Sequence, residues 1–333
     1  MKNYLEYHTT EADSGAEVLA ILKNYFHFSS RKIKSVKFAE EGILLDGVRV
    51  NVRKKLLPGQ ILAVLLDDSD KIKRKVSGIQ LPIRILYEDE FYLIADKPSG
   101  VVSHPSPGHY FDSLTNAARW YLDQKGDSSV LHVCGRLDKD TSGVLVFAKN
   151  SAAEYELLKQ KKEGIFQKSY LAVAEGNVFP EEDSIEIPMI ETRTPSGLLK
   201  MQRADVCNEK TKAYTEYKVQ MKGAGYSILE VQIQTGRTHQ IRFHMSAIGH
   251  PLLGDPLYGS CRSFAKSIDG KTPAEANDRS MALIHRTALH AYRLRFWHPY
   301  AEKEMLVTAP IPADMQKLLK NAGETLRSKI DYI

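Results

Sequence analysis

Cysteine is scarce in this sequence, and the few cysteines lie far apart. The 333 residues contain three of them, an odd number, at Cys134, Cys207 and Cys261. No two are separated by only two residues, so no pair has the spacing of a zinc ribbon. We therefore exclude the disulfide-rich and zinc-ribbon classes of protein.

Long apolar runs are also missing. The first residues, MKNYLEY, lack the apolar stretch of a signal peptide, and no run is long enough to span a membrane. With 43% hydrophobic and 26% charged residues, the composition is typical of a soluble globular protein. We therefore expect a cytoplasmic protein with one large core or two domains and no membrane partner.

Nucleotide-binding signatures and a strong net charge are absent as well. No GxxxxGK motif occurs, and the GxG at Gly223 and Gly225 lacks its third glycine because Ile228 stands there. The net charge is only +5, so any affinity for nucleic acid must come from clustered basic residues. We expect no nucleotide cofactor.

The most informative stretch that is present is residues 135–143, GRLDKDTSG, followed at once by the apolar run 144–148. A loop this rich in Gly, Ser, Thr and Asp belongs at a surface or cleft, and the apolar run predicts a buried strand. Asp138 is then a short carboxylate held beside a strand. Turn capping is the ordinary alternative. A calcium loop is excluded because its twelfth position holds Lys149 instead of glutamate.

The second dense motif, residues 235–244, predicts a helix. Arg242 lies away from the apolar face of this helix, where a partly buried cation needs an anionic partner. The histidines His239, His244 and His250 invite a metal interpretation. Their spacing fits no His-Glu-x-x-His helix and no cysteine supports them, so we predict no metal site.

Residues 135–143 resemble the Arg-Leu-Asp-x-x-Thr-Ser-Gly signature of the RluA-type RNA pseudouridine synthases, in which the aspartate is catalytic. The resemblance runs from Leu81 to the end of the chain. Gly135 departs from the family, which usually has histidine at that position. The other matching stretches follow in order: KPSG and HP within 97–105, KSYLA at 168–172, GRTHQIRFH at 236–244 and HAYRL at 290–294.

The resemblance implies an isomerase that converts specific uridines of ribosomal or transfer RNA to pseudouridine, as a monomer and without a cofactor. It assigns catalysis to Asp138, with Arg242 as the cation that keeps the carboxylate charged and Tyr170 as an active-site aromatic. Arg136 is assigned to base flipping or phosphate contacts. The carboxylate has three possible roles, which are to stabilise charge on the sugar, to attack C1′ or to remove a proton.

The N-terminal residues 1–66 predict a small α/β domain, with Asp46 and Gly47 as the turn of a hairpin. Its layout resembles the alpha-L RNA-binding motif, without the helix that usually opens that motif. A solvated charged face is the alternative explanation of its basic cluster. The residues assigned to RNA binding there are Arg31, Lys32, Lys34, Lys37, Lys54 and Lys55.

The polar residues 67–80 predict a linker, and residues 81–333 a catalytic domain. For the catalytic domain the resemblance implies an α+β fold, with a mixed, largely antiparallel sheet, a central cleft and Asp138 at the cleft floor. The residue pattern predicts helices beginning near Asp112 and Ser151 and an alternating strand at 226–234. Residues 181–212 are polar and turn-rich and are expected to form an excursion from the sheet.

Two other functions remain compatible with the residues. The first is a non-catalytic RNA-binding protein built on the N-terminal domain, for which Asp138→Asn would change nothing. The second is a carboxylate-dependent nucleoside hydrolase, which would release free base, a product that a pseudouridine synthase never makes.

Overall fold

The computed structural model describes residues 4–26, 28, 30–65, 76–259 and 283–322. Cys261, the side chain of Arg31 and most of the predicted linker lie outside this described part. Within it, no helix combines the length and apolar character that crossing a membrane requires.

The N-terminal residues form a four-stranded antiparallel sheet covered by two helices. Its strands are β1 (Tyr4–His8), β2 (Ile43–Leu45), β3 (Val48–Arg49) and β4 (Ile61–Leu65), and its helices are α1 (Val18–Asn24) and α2 (Ser30–Phe38). The strand order is β1–β4–β2–β3. Asp46 and Gly47 both have positive φ, as the tight turn between β2 and β3 requires. The apolar cluster of this sheet also includes Ala152, so it packs on the rest of the protein.

The described residues after the N-terminal domain are built around a second sheet, which has ten strands. Its first six strands are β5 (Arg84–Glu88), β6 (Tyr92–Lys97), β7 (His132–Val133), β8 (Ser142–Ala148), β9 (Gln167–Glu175) and β10 (Glu182–Ile185). The next two strands, β11 (Met189–Arg193) and β12 (Leu199–Arg203), form a separate hairpin. The sheet then continues with β13 (Thr215–Gly223), β14 (Tyr226–Ile233), β15 (Leu289–His298) and β16 (Lys303–Thr308).

The long path through this sheet runs β10–β13–β14–β9–β15–β8–β6–β5, with β7 beside β8 and β16 beside β15. Its pairings among described residues are antiparallel, apart from β8 with β15. Leu229 and Val231 of β14 are buried and Gln232 is exposed, as the alternating pattern predicts. The predicted α+β fold with a mixed, largely antiparallel sheet is confirmed.

The parallel pair lies in the middle of the sheet, directly after the Asp138 loop. His290 pairs with Ser142 and Ala291 with Gly143. Gly143 has φ +112°, and a Cβ there would lie 2.1 Å from the Ala291 carbonyl oxygen. Glycine is therefore required for β8 and β15 to approach this closely.

Four further helices are α3 (Leu114–Gln124), α4 (Ser151–Lys162), α5 (Gln240–Ala247) and α6 (Ala313–Ala322). The N-cap of α3 is Ser113, and the N-cap of α4 is Asn150, whose side chain accepts a hydrogen bond from Ala153 N. The cap of α3 therefore lies one residue after the expected Asp112, and the cap of α4 lies one residue before the expected Ser151. The expected excursion at 181–212 contains β10, which joins the large sheet, and β11 and β12, which form a hairpin outside it.

We predict that Gly143→Ala lowers the free energy of unfolding by about 3 kcal/mol or more, because the new methyl group overlaps the Ala291 carbonyl. The measurement is urea unfolding followed by circular dichroism. Gly164→Ala is the matched control. Gly164 also has positive φ, +73°, but no atom lies within 4 Å of its Cβ position, so we expect a loss of only about 1 kcal/mol. Equal losses in the two variants would contradict the steric explanation.

Candidate active site

The loop that carries Asp138 connects β7 to β8 and is held by hydrogen bonds to its backbone. Ser103 Oγ donates to Leu137 O at 2.8 Å and accepts from Leu137 N at 3.0 Å. Gly100 N donates to Lys139 O at 2.9 Å. The residues on both sides of Asp138 are thus fixed by the loop that follows β6.

A buried lysine ties the same two loops together. Lys97 ends β6 and is completely buried, and its Nζ donates to Pro98 O (2.9 Å), Val101 O (2.6 Å) and Lys139 O (2.9 Å). These three acceptors use all three hydrogens of an ammonium group. Burial lowers the pKa of Lys97 to about 7, although the negative charge of Asp138 opposes the change.

Asp138 faces Arg242 of α5, as predicted. Arg242 Nη1 donates to Asp138 Oδ2 at 3.3 Å. The stronger contact of this guanidinium is a two-pronged ion pair with Asp255, in which Nε and Nη2 donate to the two carboxylate oxygens at 2.7 and 3.0 Å. The Asp255 side chain is fully buried, whereas that of Asp138 is 23% exposed. Arg242 therefore joins an inaccessible carboxylate to an accessible one.

The Asp255 carboxylate is also held by two backbone N–H groups that follow it in the chain. Its Oδ1 also accepts hydrogen bonds from Leu257 N (2.9 Å) and Tyr258 N (3.0 Å). Burial alone would lower the pKa of Arg242, but the hydrogen bonds and charge of Asp255, followed by those of Asp138, raise it above its ordinary value. The guanidinium is therefore a permanent positive charge beside Asp138.

Tyr170 lies in the middle of β9, and its neighbour Ala291 on β15 also pairs with Gly143 of β8. Its side chain is buried, and its β-sheet neighbours are Val231 and Ala291. Burial, and then the negative charge of Asp138, raise the pKa of the Tyr170 hydroxyl above its usual value. The phenol is therefore neutral, and it presents an aromatic surface next to the carboxylate.

These predicted residues meet at a cleft. A hollow of about 60 Å³ is lined by Asp138, Tyr170, Arg242 and Arg136 together. It adjoins a cleft of about 840 Å³ that shares Asp138, Tyr170 and Arg136. Basic residues outnumber acidic ones along this cleft, so it suits a polyanion. The basic ones are Arg136, Lys139, Lys161, Lys162, Lys168, Lys212 and Arg237, and the acidic ones are Asp138, Glu163, Glu191 and Glu216.

Among the described residues, the basic ones predicted in the N-terminal domain are not part of the lining of this cleft. Lys34, Lys37, Lys54 and Lys55 are exposed. Lys32 differs from the expected exposed cation, because it is buried and its Nζ lies 5.8 Å from the centre of the Phe28 ring. A role of this cluster in RNA binding stays a prediction.

The three histidines considered as metal ligands contact different partners. His239 Nδ1 lies 3.2 Å from the Tyr258 hydroxyl, His244 Nε2 lies 3.0 Å from Ile187 O, and His250 Nδ1 lies 2.9 Å from Glu175 O. Among the residues that the structure describes, no group of three or more His, Cys, Asp or Glu side chains could hold a metal ion.

Sequence reasoning missed two residues that build this site, Asp255 and Lys97. The available signal for Asp255 was the glycine directly before it. Gly254 has φ +67°, and a Cβ there would lie 2.1 Å from Arg286 O, so only glycine fits at this position. Lys97 precedes a proline and a glycine at a strand end, and nothing in that pattern indicates that its ammonium binds three carbonyl groups.

Comparison with known proteins identifies the same region. The sequence model of the RNA pseudouridylate synthase family matches residues 91–247. An uncharacterised RNA pseudouridine synthase of Bacillus subtilis, YjbO, is 32% identical over 292 residues, which cover 88% of this chain and 94% of that protein. The ribosomal large subunit pseudouridine synthase D of Xanthomonas campestris is 32% identical over 314 residues, covering 94% and 91%.

Solved structures support the same fold. Human RNA pseudouridylate synthase domain containing 1 matches with a TM-score of 0.54 and 24% identity, over 75% of this chain and 94% of that chain. Human RNA pseudouridylate synthase domain containing 4 matches with a TM-score of 0.55 and 24% identity, over 72% and 92%.

We predict that Asp255→Asn lowers the free energy of unfolding by about 3 kcal/mol, because it leaves a buried guanidinium without its main counter-charge. The matched variant is Asp138→Asn, for which we expect a loss below about 1 kcal/mol, since this carboxylate is partly exposed and makes one long contact. Urea unfolding of both variants measures the difference. If the two losses were equal, Asp255 would not be the main anchor of Arg242.

Proposed function

This chain belongs to the RNA pseudouridine synthase family, and from that membership we propose that it isomerises uridines of ribosomal RNA with Asp138 as its catalytic residue. The family makes it an isomerase that acts on RNA. Ribosomal RNA is the favoured substrate because several relatives that align with most of this chain are named ribosomal large subunit pseudouridine synthase D.

The reaction requires one carboxylate and a site that holds a free base. The bond between uracil N1 and ribose C1′ breaks, the base rotates, and C5 bonds to C1′ while the proton on C5 is lost and N1 gains one. No atom is added from outside and nothing is oxidised. A carboxylate beside C1′ can act as nucleophile, as base, or as counter-charge to the sugar cation.

Asp138 suits each of these three roles, because it is reachable from the cleft and has a cation beside it. The observation that carries the proposal is the 3.3 Å contact between Asp138 Oδ2 and Arg242 Nη1 inside the small hollow. Asp255 fixes the other side of the guanidinium, so the cation stays in place when substrate enters.

Tyr170 and Arg136 complete the proposed site. The Tyr170 ring lines the hollow beside Asp138 and supplies a face on which a detached uracil can rest while it turns. Arg136 is exposed and lines both the hollow and the cleft. A uridine in folded RNA must leave its stack to reach Asp138, and Arg136 is placed to hold phosphates or to fill the gap.

We extend the proposal to the organisation of the protein. Residues 1–66 act as an RNA-binding domain, residues 67–80 as a linker and residues 81–333 as the catalytic domain, working as a monomer in the cytoplasm. The support is the resemblance to the alpha-L motif and the separate N-terminal sheet.

We predict that Asp138→Asn reduces pseudouridine formation at least about 1,000-fold while RNA binding persists, because the amide cannot act as nucleophile, base or counter-charge. The assay maps pseudouridines in ribosomal RNA from cells that lack the gene, after incubation with each purified protein. Asp140→Asn, in the same loop but outside the hollow, is the control and should stay within a factor of about three.

Two outcomes would overturn the proposed chemistry, and a third would overturn the proposed substrate. Full activity of Asp138→Asn would indicate a protein that only binds RNA. Release of free uracil would indicate a hydrolase. Pseudouridine formed in transfer RNA and not in ribosomal RNA would leave the chemistry standing and change the substrate.

We also predict that Lys97→Met lowers kcat about 10- to 100-fold with little change in KM. The Asp138 loop loses its hydrogen bond from Lys97 at Lys139 O, and the loop after β6 that supports it loses two more. The ammonium form predominates below pH 7 and is lost as the pH rises through the Lys97 pKa of about 7. At saturating RNA, wild-type kcat should therefore fall between pH 7 and pH 9 by this effect, whereas the variant should lack that fall. An identical pH profile in both proteins would exclude this role for Lys97.

A further inference from the structure

Lys168 is a cleft lysine whose ammonium makes no hydrogen bond or ion pair with the described residues. Lys168 lies on β9, two residues before Tyr170, and lines the cleft. Only 8% of its surface is exposed. No described residue accepts a hydrogen bond from its ammonium or pairs with it. A largely buried lysine whose ammonium meets only the cleft keeps little of its hydration and gains no protein partner, so it points to an anionic ligand in the cleft.

A second cation lies close to the first. Lys161 of α4 also lines the cleft, and no described carboxylate forms an ion pair with it. Burial, and then the positive charge of Lys161, lower the pKa of Lys168 to about 7, while Cys134 acts in the opposite direction. The two ammonium groups therefore repel each other, and no described acidic group offsets them.

Both ammonium groups face positions that carry no side chain. A Cβ on Gly135 would lie 3.9 Å from Lys168 Nζ, and a Cβ on Gly236 would lie 2.9 Å from Lys161 Nζ. Both glycines line the cleft. Gly135 stands where the RluA-type family usually has histidine, so in this chain no imidazole fills the space beside Lys168.

We propose that Lys168 and Lys161 together bind one backbone phosphate of the RNA, close to the nucleotide that reaches Asp138. This inference rests on the proposed function. A phosphodiester carries one negative charge and oxygens that accept hydrogen bonds from both ammonium groups. The cleft that contains them has a volume of about 840 Å³, far more than one phosphate needs, which favours a phosphate within a polymer over a small free anion.

Such a site couples RNA binding to proton uptake. The titratable groups that act on Lys168 are Lys161, from α4, and Cys134, from the segment before the Asp138 loop. A bound phosphate favours the charged form of Lys168, so RNA brings a proton with it above pH 7. RNA affinity should therefore fall as the pH rises through 7, and Lys168→Met should remove this contribution.

The test compares Lys168→Met and Lys161→Met with Lys159→Met, which removes the same charge from an exposed position on α4 outside the cleft. The probe is a fluorescein-labelled single-stranded oligouridylate, and its Kd is measured by anisotropy over a range of salt concentrations. Each cleft variant should reduce the slope of log K against log salt by about 0.7, with roughly tenfold weaker binding at low salt. Lys159→Met should match the wild type.

A thermal melt separates binding from folding. Methionine replaces an unpaired buried ammonium by an apolar chain of similar length, so Lys168→Met should melt at the wild-type temperature or above it. A lower melting temperature together with an unchanged salt slope would mean that Lys168 serves the fold, and it would overturn the proposal. Unchanged slopes in both cleft variants would overturn it as well.

The remaining measurements distinguish RNA phosphate from free phosphate, and failure of the phosphate site from failure of the proposed function. Inorganic phosphate added at constant ionic strength should not displace the oligouridylate, and displacement at millimolar phosphate would reassign the site to small anions. Pseudouridine formation by the wild type is measured in parallel. If it is absent, the proposed function fails. If it is present and Lys168→Met has an unchanged KM for RNA and an unchanged slope, only the phosphate site fails.

Discussion

The structure depends above all on one guanidinium held between two carboxylates. Arg242 is bound on one side by Asp255, which is fully buried, and reaches on the other side to Asp138, which is partly exposed. The difference in burial divides the work between the two acids. Asp255 fixes the position of the charge, and Asp138 stays reachable from the cleft. A single pair could not do both, because a carboxylate that anchors the arginine in the interior is out of reach of RNA.

The second constraint is that main-chain groups hold the Asp138 loop. Lys97 binds three carbonyl oxygens, and Ser103 binds both the N–H and the C=O of Leu137. Contacts of this kind fix the path of the backbone whatever the neighbouring side chains are. Small errors in the placement of a reacting group are costly for catalysis, so a loop held at several points is an advantage in this enzyme.

The sequence predicted the contact between Asp138 and Arg242 but not the residues that hold this pair in place. Turn chemistry and the family resemblance pointed to Asp138, and the position of Arg242 on its helix called for an anion, which Asp138 supplies at 3.3 Å. Asp255 was missed because the contact depends on how α5 lies against a loop 13 residues away. The strands β10 and β11 were missed because most of their residues are exposed, so they lack an alternating pattern. Lys32 was judged by its charge alone, although Val36, one turn further along α2, is buried on the same side.

The parallel pair of β8 and β15 has a consequence for how the protein is made. The hydrogen bond between Ser142 and His290 joins residues 148 positions apart, directly after the Asp138 loop. During translation, the strand that follows Asp138 must wait for this distant neighbour to leave the ribosome. Closing so long a loop is slow compared with local folding. The nascent chain should therefore carry a folded N-terminal sheet well before the Asp138 loop is in place, and its ability to modify RNA should arise only after residues 290 and 291 have left the ribosome.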